Sequence, residues 1–237
     1  MDYAIKSANA MKQVDRSVAA LMAWAFQKLA DQPVVYVWAG LPIFLVMTSF
    51  MTWSILLGVG YALFSIWNQN VQSLGTDIWF FVLIYGQVLF LVPMIYFAEL
   101  CAYRVIWSHM HNRETVGWRG ALTLFTERPT TIVFWLLVST ALFFGTLAFC
   151  LLPVLIYSLL RPLAVCIFVV DGVGPVEAHL RAVRQFKTRV PYHTKTIGIG
   201  VLLNMALSQI PLVGPPFGTV LAGLIHLKAY TNREISS

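Results

Sequence analysis

The amino-acid sequence predicts an all-α membrane protein with six transmembrane helices, and three observations carry that expectation. Charged residues make up 11% of the 237 positions and apolar residues 59%, where an average soluble domain is about 25% charged. Mean hydropathy is +0.75. The 16 Lys and Arg residues fall almost wholly in alternate connections between apolar runs. Lys6, Lys12, Arg16 and Lys28 precede Pro33, and Arg104, Arg113, Arg119 and Arg128 lie in or beside the 104–128 connection. Arg181, Arg184, Lys187, Arg189 and Lys195 lie between the runs ending at Val170 and starting at Thr196, and Lys228 and Arg233 close the chain. The connections near 67–77, 150–153 and 211–216 carry no Lys or Arg. Basic loops resist translocation, so this alternation predicts both termini on the cytoplasmic side.

Residues 1–33 read as a cytoplasmic amphipathic helix, with Tyr3, Met11, Val14, Val18, Leu21 and Ala25 at helical spacing. The first apolar run, about 34–66, is long enough to span with tilt or with a break near Gly58 and Gly60. A short polar connection follows, and 78–107 is the second span, with Pro93 and Glu99 inside it. The stretch 131–171 is too long for one crossing and reads as two helices, 131–151 and 152–171, meeting near Pro153. The last stretch divides at Pro211-Leu212-Val213-Gly214-Pro215-Pro216 into 196–211 and 214–230, because proline lacks an N–H and clashes with the preceding turn. Two further inner segments, 115–127 and 175–190, are expected to be elbow helices. The second opens on Pro175 and Glu177, a favourable helix start. It aligns Leu180, Val183, Phe186 and Val190, with Arg181, Arg184 and Lys187 placed for lipid headgroup contact. Val116-Gly117-x-x-x-Ala121 recurs as Val173-Gly174-x-x-x-Ala178. The chain thus also fits three parallel helix-hairpin repeats, each opened by an inner elbow helix. The whole is one integral membrane domain.

The positive-inside bias accounts for the formal net charge of +6, so the expected partners are membrane lipids and not nucleic acid. No cleavable signal peptide is expected, since the first 33 residues hold no uninterrupted apolar core. Cys101, Cys150 and Cys166 all sit in apolar stretches and read as membrane thiols.

Glu99 and Arg161 are the sharpest candidate site residues. Counted from the inner ends of their helices they lie at nearly equal depth, which points to an intramembrane ion pair or a shared polar cavity. Gln87, Asn204, Ser208 and Gln209 are further polar groups within the runs, expected to serve helix packing. Gly214, Gly218 and Ala222 recur every four residues, a small-residue face for close helix packing within the chain or with another subunit. His109-x-His111 with Glu114 lacks a fourth ligand, and no metal site is assigned there. No nucleophile elbow, zinc-protease motif or phosphate loop occurs, so neither a catalytic residue nor a cofactor is expected.

From Leu152 onward, Leu-Pro153-x-x-Ile-Tyr157-x-x-x-Arg161 is followed by Val-Val-Asp171-Gly172, Pro-x-Glu-Ala178 and Arg181-Ala182-x-Arg184. A Gly/Pro-rich break at 211–218 and a last helix ending Leu-Lys-Ala-Tyr230 complete the pattern. This stretch, 152–230, resembles the YciC-type bacterial inner-membrane proteins, relatives of the membrane domain of some glycerophosphodiester phosphodiesterases. The resemblance implies a six-helix domain of the bacterial inner membrane and a structural place for Arg161 and the 175–190 elbow. Read together, the sequence predicts a non-enzymatic scaffold or accessory subunit of a membrane complex, with a membrane-protein partner or self-association. The alternative is a small-molecule or ion transporter or channel built on the Glu99 and Arg161 region.

Overall fold

A computed structural model describes residues 18–67, 74–111, 126–149, 151–188 and 190–234, and these segments are almost entirely helical. The first helix, α1, is described over 18–31. It is followed by α2 (Pro33–Trp67), α3 (Leu74–Met110), α4 (Pro129–Phe149), α5 (Leu151–Asp171), α6 (Pro175–Thr188), α7 (Val190–Leu207) and α8 (Gly214–Glu234). The expected helix over 115–127, the Val116–Ala121 half of the repeated motif and the first half of the 1–33 segment lie largely outside the described residues.

Helix α2 does not break at Gly58 or Gly60, nor at Pro42, and α3 continues through Pro93. A backbone freed in hydrocarbon has no water to bond, so weak helix formers stay helical there at lower cost than a break. Helix α5 ends at Asp171 because Gly172 takes a left-handed φ of 66°. This is the usual way for a helix to close its last turn. Arg128, at the start of α4, donates to the Gly172 carbonyl at 2.9 Å and ties the two ends together. Among the described residues, four helical segments are long and apolar enough to cross a membrane: Pro33–Ile66, Leu89–Met110, Pro129–Phe149 and Leu152–Asp171.

The helices form three hairpins, α2–α3, α4–α5 and α7–α8, with α6 packed across α4 and α5 at one end. The core lies toward one end of the long helices and not along their full length. It is built from Tyr36–Ile43 of α2, Tyr96–Ile106 of α3, Leu163–Val169 of α5 and Val220–Tyr230 of α8. All of these lie toward the end that carries Lys28, Arg128, Arg181 and Lys228, called the basic end below. Gly223 lets α8 come close to α3; a Cβ there would meet the Ile106 side chain at 2.9 Å. At the same end α1 docks through Trp24, whose ring lies 5.3 Å from the Lys228 ammonium.

Candidate functional site

Glu99 and Arg161 meet. The Arg161 guanidinium donates to Glu99 Oε2 across the α3–α5 contact. Glu99 is buried, while the Arg161 side chain keeps 19% of its surface. The guanidinium also lies 4.4 Å from the centroid of the Tyr96 ring, a cation–π contact worth most when desolvated. Helical spacing places these partners: Tyr96 is one turn before Glu99 on α3, and Tyr157 one turn before Arg161 on α5. Tyr157 donates its hydroxyl to the Ser139 carbonyl of α4 at 3.1 Å. The charge pair thus joins α3 to α5, and Tyr157 ties α5 to α4.

A second polar group lies closer to the basic end. Tyr103, one turn after Glu99, bonds His226 Nδ1 at 2.6 Å. The other ring nitrogen of His226 lies 3.2 Å from the Ile197 carbonyl. Gly200 makes room for that imidazole, since a Cβ on it would collide with His226 Nε2. Tyr230 donates to both Asp171 oxygens at 3.0 and 3.1 Å. Asp171 is also 3.6 Å from Arg181, which holds Glu177 at 2.7 Å. That hydrogen bond from Arg181 keeps the Glu177 carboxyl below its ordinary range. The result is a chain of contacts joining α5, α6 and α8.

His179 on α6 completes the picture. Its Nδ1 donates to the Pro175 carbonyl at 2.8 Å. Its ring lies 4.9 Å from Trp135 and stacks on Tyr157 at 6.2 Å. Burial pushes its pKa below 6.5, the backbone bond opposes this, and the Arg161 charge adds to the lowering.

The other residues singled out from the sequence fall as follows. Gly214 and Gly218 face α7 in the same chain. A Cβ on Gly218 would meet Asn204 Oδ1 at 2.6 Å, and one on Gly214 would strike the Leu207 carbonyl. Ala222 is buried on the same helix. Ser54 donates to Gln87 at 3.2 Å and links α2 to α3. Ser208 and Gln209, just past the end of α7, bond back to the Asn204 and Met205 carbonyls of its last turn. His109 pairs with Gln32, whereas His111 bonds the Trp107 carbonyl at 3.1 Å. The two histidines thus have separate partners, and no group of metal-ligating side chains forms among the described residues. Arg181 is held within the fold, while Arg184 and Lys187 point outward and are exposed.

Sequence reasoning did not find Tyr96, Tyr157, Tyr103, His226 or the Tyr230–Asp171 bond. The signal for the tyrosines was present: Tyr96 and Tyr103 flank Glu99 at i−3 and i+4, and Tyr157 precedes Arg161 at i−4. The described residues are helical, and four of their segments are long and apolar enough for an integral membrane protein. Comparison with protein-family models, with curated proteins and with solved structures gives no match.

Proposed function

We propose that the protein is a non-enzymatic membrane scaffold or accessory subunit, and that its partner packs along the α2–α3 hairpin. One observation carries this reading: the hairpin outruns its neighbours and is apolar where it does so. Measured from the Glu99–Arg161 pair, α5 extends about 15 Å to Leu151, while α3 extends roughly 37 Å to Leu74. The overhang is thus about 22 Å. Along it Ile55, Leu56, Leu63 and Ile66 of α2 and Ile78, Phe81 and Val82 of α3 are exposed. Helices of 35 and 37 residues exceed the roughly 30 Å of a bilayer's apolar layer. Lipid covers all of this surface only if the hairpin tilts steeply, whereas helices of a partner cover it at modest tilt.

In this reading the ends of the chain lie together on the cytoplasmic side, as the basic residues require. That holds whether α7–α8 crosses fully, making six spans, or turns within the bilayer. Placement in a bacterial inner membrane rests on the YciC-type resemblance alone, and the three-repeat organisation on the recurring Val-Gly motif. The test is purification in mild detergent with a photo-crosslinking residue at Phe81, followed by native mass spectrometry. A protein adduct at fixed stoichiometry, either a second copy or a different chain, supports the scaffold. A monomer crosslinked only to lipid counts against it.

A transport role has one observation in its favour, the partial exposure of Arg161 beside a buried carboxylate. Against it, the guanidinium is already committed to Glu99 and Tyr96. Solute uptake that disappears in Arg161→Ala while the protein stays folded would reverse that judgement.

A further inference from the structure

Helix α6 carries an apolar stripe that is only half covered by the helices it packs against. Val176, Leu180 and Val183 follow one another at i, i+4 and i+7, and Val176 and Leu180 are each 47% exposed. An amphipathic helix at the edge of a bundle leaves such a face open where lipid, not water, lies against it. Above this stripe a groove opens between α4 and α5. Leu142, Thr146, Ile156 and Leu160, with Leu180 and Val183 below, line an open, almost wholly apolar groove of about 470 Å3. That volume lies within the roughly 300–1,000 Å3 of small-ligand sites.

No charged side chain lines the groove, and the cations next to it in helical register lie one turn farther along α6. The α6 stripe continues at i+11 with Lys187, and Arg184 follows Leu180 by one turn. Both are exposed, and neither forms a salt bridge among the described residues. Arg181 differs, because Glu177 and Asp171 hold it at 2.7 and 3.6 Å. An apolar slot between two apolar helices, with two exposed cations one turn beyond its α6 edge, matches a molecule with an anionic head and an apolar tail.

We propose that this groove holds one acyl chain of an anionic phospholipid, with the lipid phosphate against Lys187 and Arg184. The lipid would fix α6 against the α4–α5 hairpin and set the angle at which the elbow meets the bilayer. The inference rests on the membrane reading and is independent of what packs along α2–α3.

The test uses the full chain, purified in detergent and stripped of lipid. Dioleoyl phosphatidylglycerol or dioleoyl phosphatidylcholine is added back, and native mass spectrometry follows retained lipid as detergent rises. The expected result is one phosphatidylglycerol per chain, held where phosphatidylcholine is lost. Reversing both cations with Arg184→Glu and Lys187→Glu should weaken retention about tenfold or more. Leu142→Trp, which fills the apolar part and leaves the cations in place, should weaken it as well. Lys28→Glu, a charge reversal at the same end but on α1, should leave retention unchanged. Helicity by circular dichroism keeps the comparison to folded protein, and Arg184→Gln with Lys187→Gln serves if the reversal does not fold. Equal retention of the two lipids overturns the proposal, as does loss in Lys28→Glu equal to that in the α6 variants. A chain that stays dispersed without detergent would overturn the membrane reading itself, an outcome distinct from both.

Discussion

A buried carboxylate and a guanidinium in a membrane helix are each costly alone, so the Glu99–Arg161 pair tests its own role. Removing one partner leaves an uncompensated charge, which in buried pairs costs about 3–5 kcal/mol. Glu99→Ala is expected to lower stability by that order, read as a drop in melting temperature in detergent. The double change Glu99→Leu with Arg161→Leu should recover most of the loss, because well-packed apolar replacements of a buried pair are often neutral. A double variant as unstable as Glu99→Ala would show that the pair stabilises the bundle in a way apolar packing does not replace. His179 gives a second test. Its folded pKa lies below 6.5, chiefly through burial, so the unfolded chain binds a proton first as pH falls. Stability should therefore be full above about pH 6.5 and decline below it, by at most about 1.4 kcal/mol per pH unit from this group. His179→Phe keeps a ring between Trp135 and Tyr157 and should flatten that part of the profile. An unchanged acid slope would assign it to other groups.

The helices themselves were largely legible, and the reasons are local. Pro129, Pro175 and the Pro211–Pro216 break mark helix starts and stops that follow from backbone chemistry alone. Asp171-Gly172 closes α5 where a left-handed residue is needed. The equal depth of Glu99 and Arg161 followed from counting residues, because rise per residue in a helix is fixed. The Tyr103–His226 bond was not legible. It depends on how α8 crosses α3 and α7, and no periodicity within one helix encodes a crossing. The glycines of α7 and α8 belong to that same crossing. Gly200→Ala should push His226 off the Ile197 carbonyl and cost about 1–3 kcal/mol as overpacking. Gly214→Ala should cost at least as much, since the Cβ meets backbone and not a movable side chain. Gly58→Ala, with open space around it, should be neutral or slightly stabilising, as expected for an exposed helix position. Thermal melts of the three in one detergent give the ranking, and Gly58→Ala as harmful as Gly214→Ala would contradict it.

At the largest scale, the described residues form three hairpins of unequal reach, and the third bears on the topology. The tip of α7–α8 lies beside Phe44, where Val213 and Phe44 line one groove. Phe44 is about 16 Å along α2 from Pro33, and α2 continues for roughly 34 Å beyond it. The apolar parts of α7 and α8, from Thr196 to Leu207 and from Gly214 to Leu227, are about 12 and 14 residues, short of the roughly 20 that a crossing takes. The tip residues fit an apolar setting. Ile210, Leu212 and Val213 are exposed, and the Ser208 hydroxyl and the Gln209 amide donate to carbonyls in the last turn of α7. These lengths favour a hairpin that enters from the basic side, turns within the bilayer and returns, with four crossings in all. Loop charge does not separate this from the six-span arrangement, because a turn in hydrocarbon and a turn beyond it both lack Lys and Arg. Single-cysteine labelling in intact cells decides between them. A cysteine at Gln209 should resist a membrane-impermeant maleimide, while one at Asn70, in the connection between α2 and α3, should react from outside. If both react from outside, the α7–α8 hairpin crosses fully and the protein has six spans. If Asn70 is labelled only after the cell is opened, the basic residues do not mark the inner side.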